Sequence, residues 1–154
     1  MPTAAPSDLQ KLHDLIKDIK FAMLTTCDSQ GRLHSRPMAV QQTEGADDLW
    51  FFVGLTSPKV EEICRDPKVN VSLAEPNDQR YVSIAGHAEI VRDAAKAAAL
   101  WSPLYQTWFP RGLQDPNLGL LKVVVQHAEY WDAPTGAMVH LFGTPKTDHK
   151  KLSL

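Results

Sequence analysis

The sequence predicts a mainly β fold of the α+β kind, an antiparallel β-barrel of six or seven strands with helices at its periphery. Three observations carry this expectation. Short apolar runs, alternating or continuous, recur along the chain between Gly, Pro, Asn and Asp turn signals. Three stretches carry a helical period instead. Closing so many short strands into a barrel also removes the exposed edges that invite aggregation.

Each element follows from its local pattern. Residues 1–6 (MPTAAP) read as a loose tail. Ser7 and Gln10 have the spacing of a capping box, and Leu9, Leu12, Ile16 and Ile19 follow at helical spacing, so 8–19 is expected to be an amphipathic helix. Phe21–Thr26 reads as a strand, Asp28-Ser29-Gln30-Gly31 as a turn, and Leu33–Gln42 as the returning strand of a hairpin. Thr43–Asp48 is polar and loop-like, and Leu49–Val53 (LWFFV) has the continuous apolar character of a strand buried on both faces. Ser57 before Pro58 is a helix-start signal, and Asp66-Pro67 stops that short helix. Val69–Ala74 alternates as a strand, Glu75–Gln79 turns, and Arg80–Val91 is a longer strand in which Gly86 marks a bulge or bend. Asp93 opens an Ala-rich helix reaching about Tyr105, and a Pro/Gly/Asp-rich connection leads to Leu118. Leu120–Trp131 is a long strand, Ala133–Gly136 a turn, Ala137–Phe142 the last strand, and 143–154 a mobile polar tail.

Bulk properties narrow the class. The 154 residues fit one domain spanning 1–154 with its core over about 8–142. A chain of this size buries roughly 70% of its unfolded surface and needs no staples. A net charge of -2 and a pI of about 6.3 argue against nucleic acid as a partner, which needs clustered Lys and Arg. Cys27 and Cys64 form no metal or redox motif and read as reduced thiols, with a disulfide or a reactive thiol as the alternative. His13, His34, His87, His127, His140 and His149 show no metal-ligand spacing. No apolar run approaches the about 20 residues that span a bilayer, and 1–6 shows no signal-peptide pattern. The expectation is a cytoplasmic protein with no membrane or metal partner.

Three places carry chemistry, and each has two readings. Ser57-Pro58-Lys59 at a helix start offers free N–H groups, a hydroxyl and a full positive charge to an anion, with Thr56 as a second hydroxyl; the other reading is plain capping. Arg36 lies among apolar neighbours in a strand, where a guanidinium needs an acid, a chain end or a ligand anion. Pro37 cannot donate to a ladder, so a ligand ring has backbone groups to use there. Trp101, Trp108, Phe109 and Trp131 fill a core or an interface, and Trp131, at a strand end, also suits the wall of a flat ligand. Asp47, Asp48, Glu61 and Glu62 look solvated. No G-x-S-x-G, Walker, G-x-G-x-x-G or H-E-x-x-H motif is present.

Taken in order, F-A-M-L-T-T (21–26), G-R-L-H-S-R-P-M (31–38), L-W-F-F (49–52), S-P-K-V-E-E-I (57–63), D-P-K-V-N-V-S (66–72), Y-V-S-I-A-G-H-A (81–88), W-S-P (101–103), W-F-P-R-G-L (108–113) and A-E-Y-W-D (128–132) carry a resemblance over roughly residues 8–140. The chain resembles the pyridoxamine phosphate oxidase-like FMN-binding split-barrel superfamily, and within it the general stress protein branch. That resemblance implies a split β-barrel acting as a homodimer with FMN at the interface. It implies that Arg36, Pro37, Met38, Ala39 and Val40 line the flavin ring, partly through backbone, that Arg36 can also reach the ribityl or phosphate region, and that Phe52 and Val53 continue the wall. Ser57 and Lys59 would hold the phosphate, and Trp131 of the partner subunit would cover the ring.

Two departures bear on activity. The oxidase proper reads Ser-Arg-Lys where this chain has Pro58 in the middle position, and its C-terminal Arg-x-His is here Gly136-Ala137-Met138-Val139-His140. Vitamin B6 oxidation is therefore not expected. The resemblance implies an FMN-dependent oxidoreductase acting on an unassigned small-molecule redox substrate. A non-catalytic flavin buffer or sensor and a haem-binding relative on the same barrel are the alternatives. No residue stands out as a general acid or base, so the catalytic group is unassigned.

Overall fold

The computed structural model describes residues 6–41 and 48–142. The strands are β1 (Phe21–Cys27), β2 (Leu33–Ala39), β3 (Asp48–Gly54), β4 (Lys68–Glu75), β5 (Arg80–Val91), β6 (Leu118–Asp132) and β7 (Ala137–Phe142). The helices are α1 (Pro6–Ile16), α2 (Pro58–Arg65) and α3 (Ala94–Leu100), with short 3-10 turns at Pro76–Asp78, Pro103–Thr107 and Gly112–Gln114. All strand pairs are antiparallel and run in the order β2-β1-β4-β5-β6-β3, with β7 added to β6. Just past β2, Gln41 donates its N–H to the Trp50 carbonyl at 2.9 Å. That bridge joins the two edge strands, and the sheet curls into the expected split barrel.

Alternation decides what each strand buries. Ala22 and Leu24 of β1, Val71 and Leu73 of β4, Val82 and Ile84 of β5, and Leu121 and Val123 of β6 meet in one core. Helix α1 adds Leu12 and Ile16 to it, and α2 adds Val60 and Ile63. Strand β3 is buried on both faces, as LWFFV predicts. Leu49, Phe51 and Val53 enter the barrel core, while Phe52 packs outside it with Ala97, Phe109 and Leu120. The opposite outer face, across β1 and β5, leaves Phe21 61%, Met23 41% and Tyr81 39% exposed.

Turn chemistry behaves as its residues require. Gly31 takes φ +79° at the β1–β2 turn and donates to the Asp28 carbonyl at 3.1 Å. The β5–β6 register shifts between Ala85 and Gly86, which is the expected bulge. A Cβ on Gly86 would stand 2.7 Å from both Val123 Cγ1 and the Val124 carbonyl oxygen. Asp93 caps α3 by accepting from the Lys96 N–H at 3.0 Å.

Most boundaries differ by two residues or fewer, and three elements end three or more residues early. Helix α1 starts at Pro6 and ends at Ile16, not at residue 19. Pro6 occupies the first turn, where its missing N–H costs nothing, so Ser7 lies inside the helix; its side chain is outside the described residues. Gln10 donates to Asp14 Oδ1 instead, at 2.9 Å. Strand β2 ends at Ala39 because the chain turns away to pair Gln41 with Trp50. Helix α3 ends at Leu100, because Ser102 and Pro103 start a separate 3-10 turn in which the Ser102 hydroxyl accepts from Leu104 N–H at 3.4 Å. The expected tail at 143–154 and most of the 43–48 loop lie outside the described residues. No helix among the described residues is long and apolar enough to cross a membrane.

Candidate anion site at the start of α2

The β3–α2 loop is held from outside. Asn117, ahead of β6, accepts from the Leu55 N–H through its carbonyl at 2.8 Å. Its Oδ1 accepts from the Thr56 N–H at 3.0 Å and the Thr56 hydroxyl at 3.1 Å. The exposed Thr56 is thus already engaged. The sequence around Asn117 marks only a turn, Asp115-Pro116-Asn117, in which Asp115 Oδ1 accepts from the Asn117 N–H at 3.0 Å, and nothing local points to its partner Thr56.

Ser57 is the residue before α2, with extended φ -73° and ψ 152°, and Pro58 takes the first helical position. The capping reading ends here, because the Ser57 side chain makes no cap hydrogen bond. Its Oγ is buried and has no partner among the described residues. An unsatisfied buried hydroxyl costs about 1–3 kcal/mol, so the helix start carries a polar atom that its own fold does not use.

Lys59 follows, half-buried, with no acid paired to it among the described residues. Burial first, and the nearby Arg36 second, push its ammonium below the ordinary lysine range. The neighbouring acid on the same helix is engaged elsewhere. Glu62, one turn further along α2, accepts from the Thr26 hydroxyl at 2.6 Å and from Arg36 Nη2 at 3.4 Å. Arg36 Nη1 donates to Thr26 Oγ1 at 2.7 Å and to the Leu24 carbonyl at 3.3 Å. The expectation that Glu62 is solvated is corrected, since its side chain is 14% exposed. Glu61, one residue earlier, is exposed and only 3.7 Å from Arg65. The helical period turns Glu61 outward and Glu62 toward β1 and β2.

The remaining site candidates divide by face. Arg36 pairs across the ladder with the buried Leu24, and Met38 with the buried Ala22; Val40 lies in the core. Pro37 and Ala39 pair with the exposed Met23 and Phe21 on the outer face. Val53 lies in the barrel core and Phe52 in the outer aromatic cluster, 5.5 Å from the Trp101 ring and 5.2 Å from that of Tyr105. Trp108 is 65% exposed and tilts against Tyr105. Tyr105 also accepts a hydrogen bond from the Gln41 amide. Trp131 sits near the far end of β6, opposite Met138, whereas the β6 start pairs with Gly54 beside the anion site. One chain therefore brings Arg36, Ser57 and Lys59 together and leaves Trp131 apart.

The family model described as pyridoxamine 5'-phosphate oxidase like matches residues 7–152. The chain belongs to the pyridoxamine 5'-phosphate oxidase-like family. Protein bli-3 of Neurospora crassa is 33% identical over 143 residues, covering 84% of this chain and 68% of that protein. General stress protein 26 of Bacillus subtilis is 32% identical over 125 residues, covering 74% of this chain and 81% of its own. Among solved structures, the general stress FMN/FAD binding protein from Xanthomonas citri matches with a TM-score of 0.69 at 24% identity, covering 97% of this chain and 99% of that one. Family membership places the general stress protein resemblance on firm ground and leaves the ligand to the site's own chemistry.

Proposed function

We propose that this protein binds FMN through the start of α2 and works as a cytoplasmic, homodimeric flavin-dependent oxidoreductase on a small redox substrate. One observation carries the reading: among the described residues the buried Ser57 Oγ has no partner, and two residues further on Lys59 is a half-buried cation with no acid paired to it. A terminal phosphate satisfies both at once; Pro58 has no N–H, and those of Ser57 and Val60 already donate to the Gly54 and Ser57 carbonyls at 3.0 and 3.1 Å, so the helix start adds the Lys59 N–H. Arg36 through Val40 then run along the flavin ring, with Pro37 leaving its ladder position without a donor. Phe52 and Val53 support that wall through backbone, because their side chains are committed to two cores. Bound flavin supplies the electron chemistry, and the protein supplies orientation and charge.

The exposed Phe21, Met23 and Tyr81 give the outer sheet face the apolar character of an interface. A second copy seated there brings Trp131 of the partner subunit to the ring. About 800 Å² from each partner makes a stable dimer.

Titration of the purified protein with FMN tests the reading. Lys59→Ala is expected to weaken FMN binding by about 1–3 kcal/mol, the scale of a charge-assisted hydrogen bond, and to leave riboflavin, which lacks the phosphate, unaffected. Equal losses for both ligands, or none, overturn the assignment. Light scattering that returns a 17.1 kDa particle at micromolar concentration overturns the dimer. Oxidation of reduced nicotinamide by the loaded protein separates an oxidoreductase from a passive flavin carrier.

A further inference from the structure

We propose that Thr26 and Glu62 are positioning residues that hold the Arg36 guanidinium at the anion site, an inference resting on the FMN reading above. Thr26 is one of two buried polar side chains among the described residues, and it lies on the inward face of β1. Its hydroxyl has one proton, and the geometry spends it on Glu62 Oε1 at 2.6 Å. Thr26 Oγ1 in turn accepts from Arg36 Nη1 at 2.7 Å. Thr26 is therefore a hinge between a strand-borne cation and a helix-borne anion, and its orientation is determined from both sides.

Arg36 is left with a defined remainder. Both protons of Nη1 are taken, by Thr26 and by the Leu24 carbonyl, and one of Nη2 is taken by Glu62. Nε–H and the second Nη2 proton have no partner among the described residues. A guanidinium carries five donors in a fixed plane, so clamping three of them sets where the other two point. Arg36 itself is near enough to Lys59, which lies one turn before Glu62 on α2, for its charge to lower the Lys59 ammonium. The charges agree with this arrangement. Two cations and one carboxylate leave a site of net positive charge, able to take an anion without burying unbalanced positive charge.

The arrangement has little value as a stability device. A partly buried ion pair contributes little net stability, and apolar residues of similar volume often serve as well. Its evident product is direction. Arg36 has a long flexible stem, and without Thr26 and Glu62 its guanidinium keeps, among the described residues, only the Leu24 carbonyl at 3.3 Å.

The test compares FMN with riboflavin across Thr26→Val and Thr26→Ser in the full-length protein. Val keeps the shape and removes the hydroxyl; Ser keeps the hydroxyl. Thr26→Val is expected to lower FMN affinity about tenfold relative to riboflavin, roughly one charge-assisted hydrogen bond, and Thr26→Ser is expected to restore the wild-type ratio. A wild-type ratio in Thr26→Val overturns the inference, as does a Thr26→Ser protein as defective as Thr26→Val. Thr26→Ala carries the same expectation as Val and is read by the same ratio where Val does not fold. The wild-type titration keeps the two readings apart: failure of the wild-type protein to bind FMN overturns the flavin reading, whereas wild-type binding with an unchanged ratio overturns only the role of Thr26 when seen in the Thr26 variants and that of Glu62 when seen in Glu62→Gln.

Discussion

Arg80, the first residue of β5, grips both carboxylate oxygens of Asp18, with Nη1 at 2.7 Å from Oδ1 and Nη2 at 2.8 Å from Oδ2. The same guanidinium donates to the Leu15 carbonyl at 2.8 Å, near the end of α1, and to Asp78. An 11-residue helix is short for independent stability. Its hold on the barrel is Leu12 and Ile16 inside and Arg80 at its C-terminal end. Arg80→Met is expected to speed hydrogen exchange of the α1 amides while leaving β4 and β5 protected. Uniform exchange across both regions would show that α1 does not open separately.

The β1–β2 turn has its own electrostatic lock. Asp28 accepts from His34 Nε2 at 2.8 Å, from Arg32 Nε and the Arg32 N–H at 2.9 Å each, and from the Gln30 N–H at 2.9 Å. The His34 bond first, and the Arg32 backbone second, hold its carboxyl well below the usual carboxylate range. Asp18 is lowered too, mainly by its Arg80 bond. Both groups have folded values below their unfolded ones, so the unfolded chain takes up protons first as the solution is acidified. Their stabilisation is complete above the usual carboxylate range and is lost as pH falls through it toward the folded values. Asp28→Asn is expected to flatten the fall in stability between about pH 5 and pH 2, measured as urea midpoints across that range. An unchanged slope would remove Asp28 from the account.

Lys59 titrates with the opposite consequence. Its folded value lies below the ordinary lysine range, through burial and Arg36. The unfolded chain therefore holds the proton to higher pH, and stability rises as pH climbs through that window. FMN affinity runs the other way, because the phosphate needs the charged ammonium. Affinity is expected to fall on the alkaline side, and the fall is expected to vanish in Lys59→Met. A fall that persists in that variant would assign it to another group.

Gly86 shows what the bulge costs to alter. An alanine Cβ would sit 2.7 Å from a side-chain methyl and from a backbone carbonyl of β6, and the carbonyl cannot move without breaking its ladder. Gly86→Ala is expected to destabilise by about 1–3 kcal/mol, the scale of overpacking, read by chemical denaturation. A neutral result would mean that β6 shifts register without penalty.

Pyridoxine phosphate oxidation needs a cation for the substrate phosphate besides the group holding FMN. Residues 135–142, the end of the turn and all of β7, supply only His140. Aerobic assay of the flavin-loaded protein with pyridoxine phosphate is expected to give no pyridoxal phosphate above background. Turnover of about 1 per second or more would restore the oxidase assignment.

What the sequence determined by itself was local. Residues adjacent in the chain decide a turn at Asp28–Gly31, a Pro-led helix after Ser57 and a strand over Arg80–Val91 with a bulge at Gly86, because backbone sterics and period act over a few residues. The site candidates Arg36, Ser57 and Lys59 were legible for the same reason, as polar groups in places that need a partner. The tertiary structure alone decided who the partners are. Arg36 meets Glu62 across 26 residues, Thr56 meets Asn117 across 61, and the Gln41–Trp50 bridge closes the barrel. It also decided that the Ser57 hydroxyl is buried but caps nothing. A hydrogen bond forms between whichever groups barrel closure brings to about 3 Å, and that distance is set by strand order and register rather than by neighbours in the chain.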